Sequence, residues 1–283
     1  MTGVDPIARN ILVADDEASM RTLVAHVLRR EGYSVTLARD GFEAFELLER
    51  ESFDLVLLDL WMPRMTGFEV LARLKTLGSA PRAIVMTGDN TPVTVMNAIR
   101  EHAWQYIAKP FEMTDLVSLV ERALSSDSSA APIEVLSATR DWIELLVPCD
   151  RTAAERVHDV LMQLETELPS DVRESVSTVF RELLANAVEW GGGLDPERKV
   201  RIALLRCQRA LIYRITDPGA GFNLEDLQHA AVHNPPHNPA RHVAVREGIG
   251  MRPGGLGLLM AKEIADELIY NETRNEVVFM KYL

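Results

Sequence analysis

Through the first half of the chain, short apolar runs alternate with amphipathic stretches, and each run closes on a polar residue. Ile11–Ala14, Leu55–Leu58, Ala83–Met86 and Tyr106–Ala108 are runs of this kind. Leu55-Val56-Leu57-Leu58 has no polar alternation, the pattern of a parallel strand covered on both faces. Strands are predicted at about residues 10–14, 34–38, 54–59, 82–87 and 104–108, with helices between them. Glu112 to Leu124 is the clearest helix, because Leu116, Leu119, Val120 and Ala123 fall on one stripe. Five consecutive βα units predict an α/β, doubly wound domain with a five-stranded parallel sheet, ending near Ser125.

The pattern then changes. Ser125-Ser126-Asp127-Ser128-Ser129-Ala130-Ala131-Pro132 is small, polar and poor in large apolar residues, as a linker would be. Beyond it, Trp142 to Val147 reads as a strand and two helices follow at about 151–167 and 170–190. Gly191-Gly192-Gly193 stops the second helix. Val200 to Arg206 and Ala210 to Thr216 read as a hairpin, followed by a long segment rich in Pro and His from Asn223 to Pro253. A helix at about 257–267 and a strand from Glu276 to Tyr282 close the chain. Paired strands with grouped helices predict an α+β sandwich, an antiparallel sheet with helices on one face. The expected organisation is a domain over 1–125, a linker over 126–134 and a second domain over 135–283.

Composition narrows the function. The 283 residues, 47% hydrophobic and 25% charged, suit a soluble protein of two domains. A formal net charge of −12 and the absence of basic clusters argue against direct nucleic-acid binding. No apolar run is long enough to span a bilayer, and no signal region opens the chain, so no membrane association is expected. Cys149 and Cys207 have no metal-ligand spacing, and reduced thiols in the cytoplasm fit them best.

The chemistry gathers where the first five strands end. In a parallel α/β sheet the strand C-termini point to one edge, where ligands bind. Asp15, Asp16, Asp59, Thr87 and Lys109 all stand there. Three carboxylates suit Mg2+, which prefers oxygen ligands, and a carboxylate can also act as the nucleophile that forms an acyl phosphate. The lysine and the hydroxyl would offset charge on a transferring phosphoryl group. A cis bond before Pro110 is one way to aim Lys109.

This half resembles the response-regulator receiver domain over roughly residues 8–125. The resemblance rests on Val13-Ala14-Asp15-Asp16, on Leu58-Asp59-Leu60-Trp61-Met62-Pro63 with Gly67, on Met86-Thr87-Gly88, and on Tyr106-Ile107-Ala108-Lys109-Pro110-Phe111. It implies that Asp59 accepts the phosphoryl group from a sensor histidine kinase. It also implies that Asp15, Asp16, Asp59 and the Trp61 carbonyl hold Mg2+, and that Thr87 and Tyr106 form a switch pair.

In the second half, Glu182 and Asn186 lie four residues apart on one helix face. Asn can offer an oxygen to a metal and Glu can take a proton from an attacking hydroxyl. Asp217-Pro218-Gly219-Ala220-Gly221-Phe222 ends a strand with an acid and two glycines that permit close backbone approach. Gly254-Gly255-Leu256-Gly257-Leu258 opens a helix and suits a phosphate cradle.

Arg181-Glu182-Leu183-Leu184-Ala185-Asn186-Ala187, the Asp217 block, Gly255-Leu256-Gly257-Leu258 and Asn275-Glu276-Val277-Val278-Phe279 together resemble the GHKL ATPase superfamily, most closely its anti-sigma-factor serine kinases. The resemblance implies ATP with Mg2+ as ligands. It makes Glu182 the catalytic base, Asn186 a Mg2+ ligand and Asp217 the adenine reader, with Gly219, Gly221, Gly255 and Gly257 shaping pocket and lid. Trp190 departs from that branch, which often has histidine there. His229, His233, His237 and His242 in the long segment lack metal-ligand spacing and suit a mobile lid or docking loop better. Arg246 and Arg252 are as well explained by solvation as by contact with a γ-phosphate. His158 lacks the context of a histidine-kinase phosphoacceptor.

The expected whole is a two-component response regulator. Phosphorylation of Asp59 would control an ATP-dependent protein serine/threonine kinase or anti-sigma-factor output in a partner-switching pathway. An anti-sigma antagonist or a sigma factor would be its partner, and both resembled families admit a homodimer. The alternative is a non-catalytic ATP-binding module that sequesters a sigma factor or another protein.

Overall fold

A computed structural model describes residues 9–77, 80–125, 132–222 and 256–283, with the single positions 231, 238 and 241. The chain divides into two compact units, 1–128 and 129–283.

The first unit alternates β1 (Asn10–Ala14), α1 (Ala18–Arg30), β2 (Ser34–Ala38), α2 (Gly41–Arg50), β3 (Leu55–Asp59), α3 (Gly67–Leu74), β4 (Arg82–Thr87), α4 (Pro92–Arg100), β5 (Gln105–Ala108) and α5 (Met113–Ser125). The strands form one parallel sheet in the order β2-β1-β3-β4-β5. All five residues of β3 are buried, as an all-apolar strand under two layers requires. Ile11, Val13, Leu55 and Leu57 share a core with Val24 and Leu28 of α1 and Leu116, Leu119 and Val120 of α5. Side chains cap α2, α3 and α4. Asp40 accepts from the Glu43 N–H, Thr66 forms a reciprocal box with Glu69, and Thr91 caps α4 just ahead of Pro92.

The strand order reverses between β1 and β3, which leaves a crevice beyond their C-terminal ends. Asp15 and Asp16 follow β1, and Asp59 ends β3.

The second unit contains β6 (Glu134–Ala138), β7 (Trp142–Pro148), α6 (Arg151–Leu164), α7 (Ser170–Asn186), a π-helical turn (Ala187–Gly191), β8 (Lys199–Cys207), β9 (Ala210–Thr216), α8 (Gly257–Ile264), β10 (Glu267–Tyr270) and β11 (Glu276–Tyr282). Its antiparallel sheet runs β10-β11-β9-β8-β7-β6. The architecture is the expected α+β sandwich. Tyr213 of β9 stacks parallel on Phe279 of β11 at 4.8 Å and tilts against Phe180 of α7 at 5.1 Å, tying sheet to helix layer. His158 is buried between α6 and α7, stacked on Phe180 and bonded to the Ser177 hydroxyl at 2.9 Å, which makes it a packing residue.

Besides α6, which ends at Leu164 and not near 167, the structure differs from the expected elements in three places. The helix expected to run to 190 is α-helical only to Asn186, and then widens into the π-helical turn. There Gly192 N–H bonds Ala187 O at 2.8 Å. The helix expected over 257–267 stops at Ile264. Asp266 N–H bonds Met280 O, and its carboxylate accepts from the Tyr282 N–H at 2.7 Å, so pairing with β11 draws the chain out of the helix and starts β10. The third difference is β6, an additional edge strand.

Candidate functional site

Asp15 and Asp59 are buried and Asp16 is exposed, and one carboxylate oxygen from each lies within 4.8 Å of the others. Lys109 Nζ sits between two of them, 2.6 Å from Asp15 Oδ2 and 2.8 Å from Asp59 Oδ2. Each carboxylate is also held by main chain. Glu17 N–H donates to Asp15 Oδ1 at 2.9 Å, and Trp61 N–H donates to Asp59 Oδ1 at 3.3 Å. Arg21 donates to the Asp15 carbonyl at 2.6 Å. Three hard oxygen donors at one point fit a magnesium ion.

Burial pushes the Asp59 carboxyl above its ordinary value, with the neighbouring Asp15 charge adding to this and Lys109 opposing it. For Lys109, burial works against the charge, but hydrogen bonds and attraction to Asp15 and Asp59 together outweigh it and the ammonium is held above its usual pKa. The site therefore keeps a cation beside two acids.

The loops bring these groups together by close approach. A Cβ at Gly67 would fall on the Asp59 carbonyl oxygen and 2.9 Å from Leu60 Cα, so only glycine lets α3 start across the end of β3. A Cβ at Gly41 would fall on the Met65 carbonyl, and Arg64 Nε donates to Asp40 Oδ2 at 2.8 Å, locking the β3–α3 loop to the start of α2. Thr87 is buried, and its hydroxyl accepts from Asp89 N–H at 3.0 Å. Its carbonyl accepts from Lys109 N–H at 2.8 Å, which joins the ends of β4 and β5. The Lys109–Pro110 bond is cis. Tyr106 is fully buried, and Trp61 is exposed beside the Phe68 ring.

In the second unit Glu182 and Asn186 are half-buried one turn apart on α7. A Cβ at Gly257 would fall on Glu182 Oε2 and lie 3.0 Å from its Cδ, so α8 begins directly against this carboxylate. Among the described residues no side chain caps α8. Asn186 is the last α-helical residue before the π-helical turn, which ends at Gly191 against the Asp217 side chain.

Asp217 Oδ1 accepts from Gly219 N–H at 2.8 Å. Burial pushes this carboxyl up, while the Gly219 bond and the Arg198 charge pull it down less. A Cβ at Gly219 would lie 2.7 Å from Asp217 Oδ1 and 2.9 Å from the Gly191 carbonyl oxygen. Gly221 has φ +81°, and a Cβ there would fall on the Thr273 carbonyl oxygen. Asn275 completes the frame, accepting from Asp217 N–H at 2.8 Å through its carbonyl and donating from Nδ2 to Gly219 O at 3.3 Å.

The structure thus groups Glu182 with Gly257, and Asp217 with Gly219 and Gly191. Gly255, the lid histidines, Arg246 and Arg252 lie outside the described residues. Trp190 is 61% exposed at the π-helical turn. Arg198, Gly191 as a packing partner of Asp217, and the Asp40–Arg64 pair were not singled out as site residues from sequence. For Asp40 a signal existed, since Asp-Gly ahead of an amphipathic run marks a helix cap.

A family model of the response regulator receiver domain matches residues 11–121, and one of the histidine kinase-like ATPase domain matches residues 147–281. The DNA-binding response regulator MtrA of Mycobacterium tuberculosis (strain ATCC 25618 / H37Rv) is 32% identical over 189 residues, 66% of this chain and 81% of that protein. The chain belongs to the response regulators. This response regulator is also 32% identical over 183 residues to the DNA-binding transcriptional regulator NtrC of Azospirillum brasilense. That match takes in 64% of the chain and 37% of the relative, so the chain spans little more than a third of the NtrC length. Among solved structures, a CheY-like receiver domain protein from Methanospirillum hungatei JF-1 is 29% identical, covering 41% of this chain and 94% of that one with a TM-score of 0.40. Among the described residues no helix is long and apolar enough to cross a membrane.

Proposed function

We propose that a sensor histidine kinase phosphorylates this regulator at Asp59, and that the phosphorylated state controls an ATP-dependent protein serine/threonine kinase or anti-sigma-factor output in the second unit. The observation that supports the reading is the presence on one chain of two side-chain clusters suited to phosphate. One is a lysine shared by two buried carboxylates, and the other a glycine-lined acid pocket in a region matching an ATPase domain.

At the first site an Asp59 oxygen bonds to phosphorus while the donor's bond to phosphorus breaks. Asp15, Asp16, Asp59 and the Trp61 carbonyl would hold Mg2+, which offsets the charge of the incoming group. Lys109 already lies 2.8 Å from Asp59 and stays beside the added charge, and Thr87 supplies a hydroxyl donor. At the second site the Asp217 oxygen that does not accept from Gly219 is available to an adenine amino group. Gly219, Gly221 and Gly257 let the Gly191 and Thr273 carbonyls and the Glu182 carboxylate pack closely and so shape the nucleotide pocket, and by the resemblance Gly255 would serve the phosphate cradle. Asn186 would hold a Mg2+ carried with the triphosphate. Glu182 takes the proton of a Ser or Thr hydroxyl as that oxygen bonds to the γ-phosphorus and ADP leaves.

We place the protein in the cytoplasm, with the receiver over 1–125 and the ATPase over 135–283, in a partner-switching pathway whose antagonist or sigma factor is the output partner. The test is transfer of γ-phosphate from ATP to candidate antagonist proteins, with and without beryllofluoride on Asp59. Transfer that depends on Glu182 and changes with beryllofluoride is expected. Partner capture with ATP bound, no transfer, and no effect of Glu182→Ala would instead mark a stoichiometric binding module.

A further inference from the structure

Arg198 stands just before β8, outside every motif that the resemblance invokes. Its guanidinium nevertheless spans both walls around Asp217. Nη1 donates to Gly192 O at 3.3 Å, just past the π-helical turn, and Nη2 donates to Pro218 O at 2.6 Å, in the Asp217-Pro218-Gly219 loop. Its own carbonyl accepts from Cys149 N–H at 2.9 Å, anchoring the backbone at the end of β7. The Cys149 thiol lies under Gly192, where a Cβ would meet Cβ of Cys149 as well as its sulfur. The strut therefore rests on a packed floor.

We infer that Arg198 is a positioning residue for nucleobase selection, fixing the Asp217 loop against the turn that follows Asn186. The inference rests on the ATP-binding reading of this pocket. An amino-group reader discriminates bases only if its carboxylate is held still, because a mobile loop adapts to the wrong hydrogen-bond pattern. Three devices hold Asp217. Gly191 and Gly219 allow main chain to close around the carboxylate, Asn275 ties the loop to the start of β11, and Arg198 ties it to the turn. Of these, Arg198 is the one that ties the Asp217 loop by side-chain hydrogen bonds to Gly192, at the end of the turn that follows Asn186. A planar guanidinium can donate to two separate carbonyls at once, whereas an ammonium is a point donor. Selectivity should thus depend on arginine itself and not only on positive charge.

The experiment measures affinities of the full chain for ATP, GTP and inorganic tripolyphosphate, by calorimetry with Mg2+, in wild type, Arg198→Lys and Arg198→Ala. Wild type is expected to prefer ATP. Arg198→Ala should narrow the ATP-over-GTP ratio about tenfold, the scale of losing charge-assisted hydrogen bonds, with tripolyphosphate affinity little changed. Arg198→Lys should narrow it by a smaller factor, and it carries the test if the alanine variant fails to fold. An unchanged ratio in a folded variant overturns the inference while leaving ATP binding intact. Equal losses for all three ligands also overturn it, since they mark general damage to the pocket. Failure of wild type to bind any nucleotide overturns the ATP-binding reading itself, and this inference with it.

Discussion

The acid cluster of the receiver and the pocket around Asp217, both proposed to take phosphate ligands, are built on different plans. In the receiver, regular topology does the gathering. Parallel strands end together, and a single lysine answers two buried carboxylates at 2.6 and 2.8 Å. Side chains at Asp40, Thr66 and Thr91 cap α2, α3 and α4, though α1 has no such cap. Around Asp217 and Glu182 the gathering is done by missing side chains. Gly191, Gly219, Gly221 and Gly257 each admit main chain or carboxylate into space that a Cβ would occupy. Among the described residues α7 and α8 begin with no side-chain cap, although Asp150 caps α6. The receiver adds a buried charge network to its close contacts at Gly41 and Gly67, whereas the second site rests mainly on absent bulk, so the two should fail under different substitutions.

The sharpest break in that comparison is Asp59→Asn, which removes the nucleophile and should abolish uptake from acetyl phosphate. The label on wild type should be acid-stable and hydroxylamine-sensitive, as an acyl phosphate is. Glu182→Ala should leave that uptake unchanged while abolishing γ-phosphate transfer from ATP. If the asparagine variant keeps the hydroxylamine-sensitive label, the acceptor is another carboxylate and the role of Asp59 is wrong.

Bulk provides the second break. Gly257→Ala puts a methyl on the Glu182 carboxylate, the free end of a side chain that can swing away, and should weaken ATP binding by displacing that carboxylate with little loss of stability. Gly67→Ala puts one on the Asp59 carbonyl, which is main chain and cannot swing away, and should cost the first unit about 1–3 kcal/mol of stability with ATP affinity unchanged. Parallel calorimetry and thermal unfolding of both variants would check this. If Gly257→Ala binds ATP as wild type does, the closeness of α8 to Glu182 has no part in nucleotide binding.

This contrast also explains what the sequence made legible. Asp15, Asp59, Thr87 and Lys109 could be found because each closes an apolar run, so position and chemistry coincide on a linear pattern. Glu182 and Asn186 were legible through helical spacing. Arg198 was not, because its partners are the carbonyls of Gly192 and Pro218, and every residue offers a carbonyl. Strands β6 and β10 escaped for another reason. They are short sheet edges, and Glu267-Leu268-Ile269-Tyr270 continues a helical pattern until pairing with β11 decides otherwise. The end of α7 shifted because propensity says nothing of a turn widened beside a close-packed glycine pair.

Acidity supplies a smaller, graded effect. Burial holds the Asp217 carboxyl above the ordinary value, against the Gly219 N–H and Arg198. The fold keeps its proton to a higher pH than the unfolded chain does. This group's contribution to stability therefore falls as pH rises from the unfolded pKa to the folded one. Ligand binding runs the other way, since only the ionised carboxylate offers both oxygens purely as acceptors, one to Gly219 N–H and the other to an adenine amino group. ATP affinity should weaken as pH falls through that raised pKa, beginning above the range of an exposed aspartate. Asp217→Asn should lose this pH dependence along with much of the affinity. A flat wild-type profile down to the ordinary carboxylate range would mean that Asp217 ionisation is not what ATP reads.

The smallest effect tests the capping difference directly. Thr66 accepts from Glu69 N–H at 3.3 Å, and the Glu69 carboxylate accepts from Thr66 N–H at 2.8 Å and from its hydroxyl at 2.9 Å. Thr66→Ala deletes the hydroxyl half of this box at the start of α3, the helix that crosses the end of β3. Loss of an N-cap costs about 1 kcal/mol. The expectation is a destabilisation of that size confined to the first unit, with ATP affinity unchanged and uptake from acetyl phosphate slowed little, because Gly67 and Asp59 keep their backbone contact. A loss well above that size would show that the cap also holds the β3–α3 loop in place. The charge-held site would then depend on local backbone order as strongly as the glycine-built one.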